Sequence, residues 1–482
     1  MNPENDILGL SISGASELLS SRQLSAAELT NAYIKSIEER DGEIGAYITL
    51  CKEEAMKRAQ LADKLIRDGQ APSPLTGIPF SVKDNFCTKG IRTTCASRML
   101  ESFIPPYNAH VVERLNAAGA VMLGKVNMDE FAMGCTTETS AFGRTRNPLD
   151  VTRVPGGSSG GSAASVAARE AIFSIGSDTG GSVRQPAAFC GVVGMKPSYG
   201  RISRYGMIAF SSSLDTVGLA ARTVHDCALL LECLAGKDPH DATSAERTDN
   251  DFTSGISEGV CGMKIGFVKE SLNGVTADVQ KNTENAIEAL RLLGAEVSEI
   301  SLPVAEYALC AYHIIGSAEA SSNLARFDGI RFGYRANGCD DVGELIRRSR
   351  SEGFGDEVKR RIILGTYALS AEKFDEYYQK AISVREYLKT ELDAIFEDFD
   401  AIITPTAPSV AYKFDRSGDF TDEYASDAYT VIASMAQLPA ISVPCGHGED
   451  NMPTALQIIT DKFADAKALR IANSLSEALW TE

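Results

Sequence analysis

The chain has 482 residues, of which 44% are hydrophobic and 23% charged, so it can bury a large core. The 47 basic and 65 acidic residues give a net charge of −18, which argues against broad nucleic-acid binding, because that needs a basic surface. The five histidines show no metal-ligand spacing, and no apolar stretch is long enough to span a membrane. The eleven cysteines contain no Cys-x-x-Cys pair, which indicates reduced thiols and a cytoplasmic location.

The first 70 residues predict a helical segment. Ser25 and Glu28 have the spacing of a capping box at the start of one helix, and a second helix is predicted over 53–68. Prolines and a glycine near residue 72 then end the helical pattern. We therefore expect 1–70 to be a helical N-terminal segment packed on the core, and 71–482 to be one large α/β domain.

Short apolar strands alternate with helices in the rest of the chain. Helices are predicted over 111–118 and 283–293. The predicted strands are 78–83, 120–123, 171–175, 264–268, 295–300, 401–404 and 455–460. This alternation predicts an α/β fold with helices on both faces of a central sheet.

The stretch from Val154 to Ser182 contains two Gly-Gly-Ser turns. The first, around Ser158, matches the G-x-S-x-G pattern of a nucleophile elbow, but residues 150–155 are a poor strand where that motif needs a good one. The second turn follows a buried strand and ends at Ser182, so this serine is expected to be exposed. The N–H groups of Thr179, Gly180 and Gly181 are predicted to form an oxyanion hole.

A serine nucleophile needs a base, and no histidine lies in this stretch. A desolvated lysine can serve instead, because burial leaves its amine neutral. Lys83 ends the strand 78–83, on the face opposite Ile78, Phe80 and Val82, so it points either into a site or into solvent. Lys125, after the strand 120–123, is the alternative base.

Lys83, the GGSSGGS motif with Ser158 and the SDTGGS motif with Ser182 resemble the amidase signature family, which uses a Ser-Ser-Lys triad. The resemblance covers nearly the whole chain. The motifs GIPFSVKDN, DPHDATS and LPAISVPCG are similar to one branch of that family, the glutaminase (A) subunits of glutamyl-tRNA(Gln) amidotransferases. The resemblance implies a single large domain with a mixed central sheet.

In that family the residues matching Ser182, Ser158 and Lys83 are the nucleophile, a bridging serine on a cis peptide, and the base. The resemblance also implies that Arg361 and Asp427 hold the α-carboxylate and α-ammonium of glutamine, which suits a guanidinium and a carboxylate. Arg360 remains an alternative for the carboxylate contact.

The resemblance further implies a heterotrimer with B and C subunits. It also implies that misacylated tRNA is held mainly by the B subunit, which uses ATP and Mg, and that this chain binds no cofactor. Three alternatives stay open: a stand-alone amidase acting on small amides, a thiol glutaminase, and a non-catalytic interaction subunit. The choice between Glu-tRNA(Gln) and Asp-tRNA(Asn) also stays open.

Overall fold

A computed structural model describes residues 7–414 and 425–479, and its centre is one sheet of eleven strands. The strands are β1 (Tyr47–Leu50), β2 (Pro79–Lys83), β3 (Val121–Val126), β4 (Phe173–Asp178), β5 (Val193–Lys196), β6 (Thr216–Ala221), β7 (Lys264–Val268), β8 (Glu296–Ile300), β9 (Ala401–Pro405), β10 (Ala440–His447) and β11 (Pro453–Ile459).

The strands lie in the order β1-β3-β2-β4-β6-β5-β10-β11-β9-β7-β8. Strand β2 runs parallel to both of its neighbours, β3 and β4, and β7 runs parallel to β8 and β9. The other pairs are antiparallel. The sheet is therefore mixed, and two parallel groups flank an antiparallel centre.

Helices cover both faces of this sheet. They are α1 (Ile12–Ser20), α2 (Ala26–Ile44), α3 (Lys52–Arg67), α4 (His110–Ala117), α5 (Gly160–Ala167), α6 (Arg184–Cys190), α7 (Val224–Leu234), α8 (Ala277–Leu292), α9 (Ala305–Asn323), α10 (Val342–Gly353), α11 (Asp356–Ala368), α12 (Lys380–Asp398), α13 (Val431–Met435) and α14 (Asp465–Leu479). Nowhere in 7–414 or 425–479 does a helix combine the length and apolar character needed to cross a bilayer.

Alternation along the strands separates two hydrophobic cores. In β9, Ala401 and Ile403 pack in the core that includes α1–α4, α7 and α8, whereas Ile402 packs in the core of α9, α11 and α12. Phe80 and Val82 of β2 belong to the first core. Because successive side chains of a strand alternate between its faces, Lys83 at the end of β2 is directed to the opposite side.

The α/β prediction is confirmed, with one correction near the N-terminus. The predicted capping box is present: Ser25 Oγ accepts from the Glu28 N–H, and the Glu28 carboxylate accepts from the Ser25 N–H. The first 70 residues are not all helical, because β1 pairs antiparallel with β3 and separates α2 from α3. This edge strand is too short and too weakly patterned for its sequence to reveal it.

Candidate active site

Lys83 meets three serine hydroxyls where β2, β4 and the N-terminus of α5 come together. Its Nζ lies 2.7 Å from Ser158 Oγ, 2.8 Å from Ser159 Oγ and 2.9 Å from Ser177 Oγ. Lys83 and Ser158 have no exposed surface. The ambiguity left by the sequence is thereby resolved, because the strand-end lysine points into the protein and not into solvent.

The backbone of the first Gly-Gly-Ser turn packs so closely against its neighbours that its glycine positions have no room for a side chain. A Cβ at Gly157 would lie 2.1 Å from Asp129 Oδ2. The peptide bond between Gly157 and Ser158 is cis, as the family resemblance implies for the bridging serine. The Ser158 carbonyl accepts from the Asp129 N–H at 3.2 Å, which ties this turn to the loop after β3.

The second turn brings Ser182 beside the first. The Ser182 carbonyl accepts a 2.9 Å hydrogen bond from the Ser159 N–H, so the two serine turns are joined directly through their backbones. Ser182 lies between β4 and α6 and keeps 7% of its surface exposed. Gly180 and Gly181 leave space for other parts of the site: a Cβ at Gly180 would lie 2.6 Å from the Tyr312 hydroxyl, and one at Gly181 would lie 2.0 Å from Thr430 Oγ1.

One part of the predicted oxyanion hole needs correction. The Gly181 N–H is not free, because it donates to Asp178 Oδ1 at 2.9 Å. The same carboxylate forms a fully buried ion pair with Arg184 at 2.8 Å. Gly181 therefore fixes the shape of the turn, and only the N–H groups of Thr179 and Gly180 remain as predicted oxyanion donors.

The surroundings of Lys83 favour its neutral form. Burial lowers its pKa to about 7, although the carboxylates of Asp129, Asp178 and Asp215 act in the opposite direction. Near neutral pH a substantial fraction of the amine is unprotonated. A lysine in this state can accept a proton, as a general base must.

Lys125, the alternative base, is held in a separate buried contact. Its Nζ pairs with Asp84 Oδ1 at 3.1 Å and donates to the Phe86 carbonyl at 2.8 Å and to Thr93 Oγ1 at 2.9 Å. Of the two lysines considered from the sequence, only Lys83 contacts the serine turns.

Arg361 and Asp427 are both buried, and their charges act on Tyr312 beside the second turn. Arg361, on α11, is 4% exposed, donates to Glu357 Oε1 at 2.6 Å and stacks over Phe210 at 5.3 Å. Burial raises the pKa of Asp427 to about 7, and the nearby positive charge of Arg361 acts against this rise. Arg360 also binds Glu357, but its side chain is 43% exposed. The arginine on the inner side of α11 is therefore Arg361.

Tyr312 is a site residue that the sequence did not reveal. It lies on α9 and is 4% exposed, and its hydroxyl faces Gly180. Burial raises its pKa, so the hydroxyl stays protonated. The positive charge of Arg361 and the negative charge of Asp427 both act on that hydroxyl. On the sequence, Tyr312 has the spacing of an ordinary core residue, and no motif surrounds it.

Over 7–414 and 425–479 the structure contains no group of three or more His, Cys, Asp or Glu side chains placed to hold a metal ion. The site consists instead of a buried amine, serine hydroxyls, glycine turns and an inward-facing arginine and carboxylate. These are the parts of a serine amide hydrolase whose base is a lysine.

Comparison with known proteins agrees with this class. The family model described as Amidase matches residues 28–469, and the chain belongs to the amidase family. It is 52% identical over 475 residues to the glutamyl-tRNA(Gln) amidotransferase A subunit of Caldanaerobacter subterraneus subsp. tengcongensis, and the match covers 98% of this chain and 97% of the relative.

It is 50% identical over 475 residues to the second glutamyl-tRNA(Gln) amidotransferase A subunit of Clostridium acetobutylicum, with 98% of this chain and 99% of the relative covered. The crystal structure of the glutamyl-tRNA(Gln) amidotransferase A subunit from Thermotoga maritima matches with a TM-score of 0.80 at 41% identity. That match covers 98% of this chain and 95% of the crystallised one.

Proposed function

We propose that this chain is the glutaminase subunit of a tRNA-dependent amidotransferase. The observation that carries the proposal is the 2.7 Å contact between buried Lys83 and Ser158, next to the turn that presents Ser182. The similar proteins named above are the A subunits of glutamyl-tRNA(Gln) amidotransferases, which supports the choice of reaction.

In the proposed reaction, Ser182 Oγ attacks the side-chain amide carbon of glutamine. Its proton passes to Ser158 as Ser158 gives its own proton to the neutral amine of Lys83. The tetrahedral intermediate then collapses as the proton returns through Ser158 to the leaving nitrogen, and ammonia departs. Water attacks the resulting glutamyl ester by the same proton route and releases glutamate.

The N–H groups of Thr179 and Gly180 are proposed to stabilise the developing oxyanion. Donors that are fixed in place before reaction cost no reorganisation when the charge appears. Asp178 and Asp215 hold this turn: Asp178 accepts from the Gly181 N–H, and Asp215 accepts from Thr179 Oγ1 at 2.7 Å. The turn therefore keeps its shape as the substrate changes from planar to tetrahedral.

Free glutamine is a zwitterion, and the buried Arg361 and Asp427 provide one charge of each sign to bind it. Arg361 would pair with the α-carboxylate and Asp427 would accept from the α-ammonium, and the charges of both act on Tyr312, whose hydroxyl faces the reacting turn. A hydrolase of small apolar amides gains nothing from a buried arginine and carboxylate. This pair favours glutamine over the stand-alone amidase alternative.

A cysteine nucleophile is disfavoured next to the triad. Burial raises the pKa of Cys95, the cysteine whose charge would act on Lys83, well above its ordinary value. The thiolate is the reactive form, so this cysteine is unreactive at neutral pH. We therefore expect glutaminase activity to survive thiol alkylation.

The ammonia is proposed to pass to a partner B subunit, which uses ATP and Mg to activate the misacylated Glu-tRNA(Gln). A small C subunit completes the heterotrimer, in the cytoplasm. The acidic balance of −18 fits this division, because this chain then need not bind tRNA by itself.

The test is a Ser182→Ala variant co-expressed with its partner subunits. It should lose glutamine-dependent amidation of misacylated tRNA and keep amidation driven by ammonium salts, because only the ammonia source is removed. Lys83→Met should behave in the same way. Glutamine-dependent activity that persists in Ser182→Ala would overturn the proposal.

A further inference from the structure

Ser177 is a second hydroxyl that competes with Ser158 for the base. A neutral lysine amine has two N–H groups and one lone pair, and the lone pair must face Ser158 for proton transfer. Three hydroxyl oxygens lie within 2.9 Å of Lys83 Nζ and the Ser177 carbonyl oxygen lies at 3.3 Å, so four oxygens compete for two N–H groups, and only one hydroxyl can donate to the lone pair. The identity of the donor decides whether Lys83 can act.

Ser159 is fixed as an acceptor by its own hydrogen bond. Its hydroxyl donates to the Ser177 carbonyl at 3.0 Å, so its hydrogen is directed away from the amine. One N–H of Lys83 is therefore committed to Ser159 Oγ. Ser158 and Ser177 remain, and each has a hydroxyl hydrogen that could occupy the lysine lone pair.

Asn85 is the side chain that contacts Ser177 from the other side. It is 2% exposed, and its amide lies 3.0 Å from Ser177 Oγ. As placed, Nδ2 faces the hydroxyl, and Oδ1 is buried without a hydrogen-bond partner. Half a turn of the amide brings Oδ1 to the hydroxyl, where it can accept the Ser177 hydrogen, and moves Nδ2 to the position that Oδ1 occupied.

We infer that Asn85, through its amide oxygen, holds the Ser177 hydrogen away from Lys83, which leaves the lone pair of the amine to Ser158. Asn85 and Ser177 are then positioning residues and not catalytic ones, because neither touches the reacting atoms. The inference rests on the proposed function, and it adds a reason why proton transfer runs only toward Ser158.

Four variants of the full chain, assayed as glutaminases with the partner subunits, test this. Asn85→Ala frees the Ser177 hydrogen and should lower kcat roughly 10- to 100-fold, part of what a general base contributes. Ser177→Ala removes the competitor together with one acceptor, and should cost about 2- to 5-fold. In Asn85→Ala/Ser177→Ala the competitor is absent, so the activity should rise to the level of Ser177→Ala alone.

Asn85→Asp is the conservative variant, because both ends of a carboxylate accept and neither donates. It should still accept the Ser177 hydrogen. Its negative charge should raise the pKa of Lys83, as the charges of Asp129, Asp178 and Asp215 do. The acid limb of the kcat profile should therefore move to higher pH, and activity should recover above it. A structural role for the amide would not produce this pH-dependent rescue.

A double variant no better than Asn85→Ala, or an Asn85→Asp variant inactive at every pH, would overturn the inference and leave the proposed function standing. A wild-type complex without glutaminase activity, or an active Lys83→Met, would overturn the proposed function itself. Asn85→Asp and Ser177→Ala change few atoms, so they keep the test decisive if Asn85→Ala fails to fold.

Discussion

Asp178 and Arg184 form a fully buried ion pair, with 2.8 Å between Oδ1 and Nη2, that spans the turn carrying Ser182. Burial by itself raises the pKa of Asp178, but Arg184 outweighs this effect and holds the pKa below its usual value. The Arg184 guanidinium also donates to the Thr430 carbonyl at 2.9 Å, which connects the turn to the region of Asp427.

Arg184→Met should destabilise the protein severely, because it removes the buried ion-pair partner of Asp178. Losing one partner of such a pair costs about 3–5 kcal/mol. Chemical denaturation measures the loss. Arg348→Met is the matched control, because the Arg348–Glu352 pair is 38% exposed on both sides and should contribute less than about 1 kcal/mol. Equal losses in the two variants would contradict this account.

The fall of glutaminase activity at low pH should follow the protonation of one group in kcat and of two groups in kcat/KM. Lys83 acts as a neutral amine, so activity is lost as pH falls through its pKa of about 7. Asp427, also near 7, must be deprotonated to accept from the substrate ammonium, and this adds a second proton in the free enzyme. Bound glutamine keeps Asp427 ionised, so kcat falls with Lys83 alone.

Profiles between pH 5.5 and 8.5 measure both limbs. In Asp427→Asn, the fall of kcat/KM at low pH should follow the protonation of a single group. The KM for glutamine should be much higher than in the wild type. A kcat that is independent of pH across this range would contradict the role of Lys83 as the base.

Gly180→Ala should lower kcat about 100-fold, because a Cβ there lies 2.5 Å from the Tyr312 ring and forces the reacting turn out of place. The measurement is single-turnover glutamine hydrolysis. Gly42→Ala is the matched control: it lies in α2 with no heavy atom within 4 Å of the added Cβ, and should leave activity unchanged. Full activity in Gly180→Ala would show that Tyr312 does not constrain the turn.

Arg361→Gln and Arg360→Gln should differ sharply in glutamine binding. Loss of a charged hydrogen-bond partner costs about 1.5–3 kcal/mol, so Arg361→Gln should raise KM roughly 10- to 150-fold. Arg360, on the outer side of α11, should change KM less than about 3-fold, as for other exposed charges. Steady-state kinetics decide, with thermal melts to confirm folding, and the reverse order would assign the carboxylate contact to Arg360.

The sequence predicts the reacting residues of the site better than the residues that surround the substrate. The position of Lys83 follows from the period-2 pattern of β2, and both serine turns are visible as glycine-rich motifs. Burial of Lys83 could not be predicted, because it depends on α5 and β4, which follow it by about 75 and 90 residues in the sequence. Tyr312 could not be predicted either, since its spacing on α9 matches that of core residues.

The incorrect part of the predicted oxyanion hole has the same origin. Whether a backbone N–H is free depends on which side chain turns toward it. Asp178 accepts from the Gly181 N–H, and Arg184 helps to hold that carboxylate in place. Glycine content shows that a turn is tight, but not which of its donors is already in use.

The two halves of the site come from different parts of the chain. Lys83, Ser158 and Ser182 lie in the first 182 residues, at neighbouring strands of the sheet, whereas Tyr312, Arg361 and Asp427 lie beyond residue 300. The residues that break the amide bond and the residues that select the substrate can therefore change independently in evolution. A protein of this architecture can acquire a different amide substrate by changing its later segments, while it inherits the reaction centre intact.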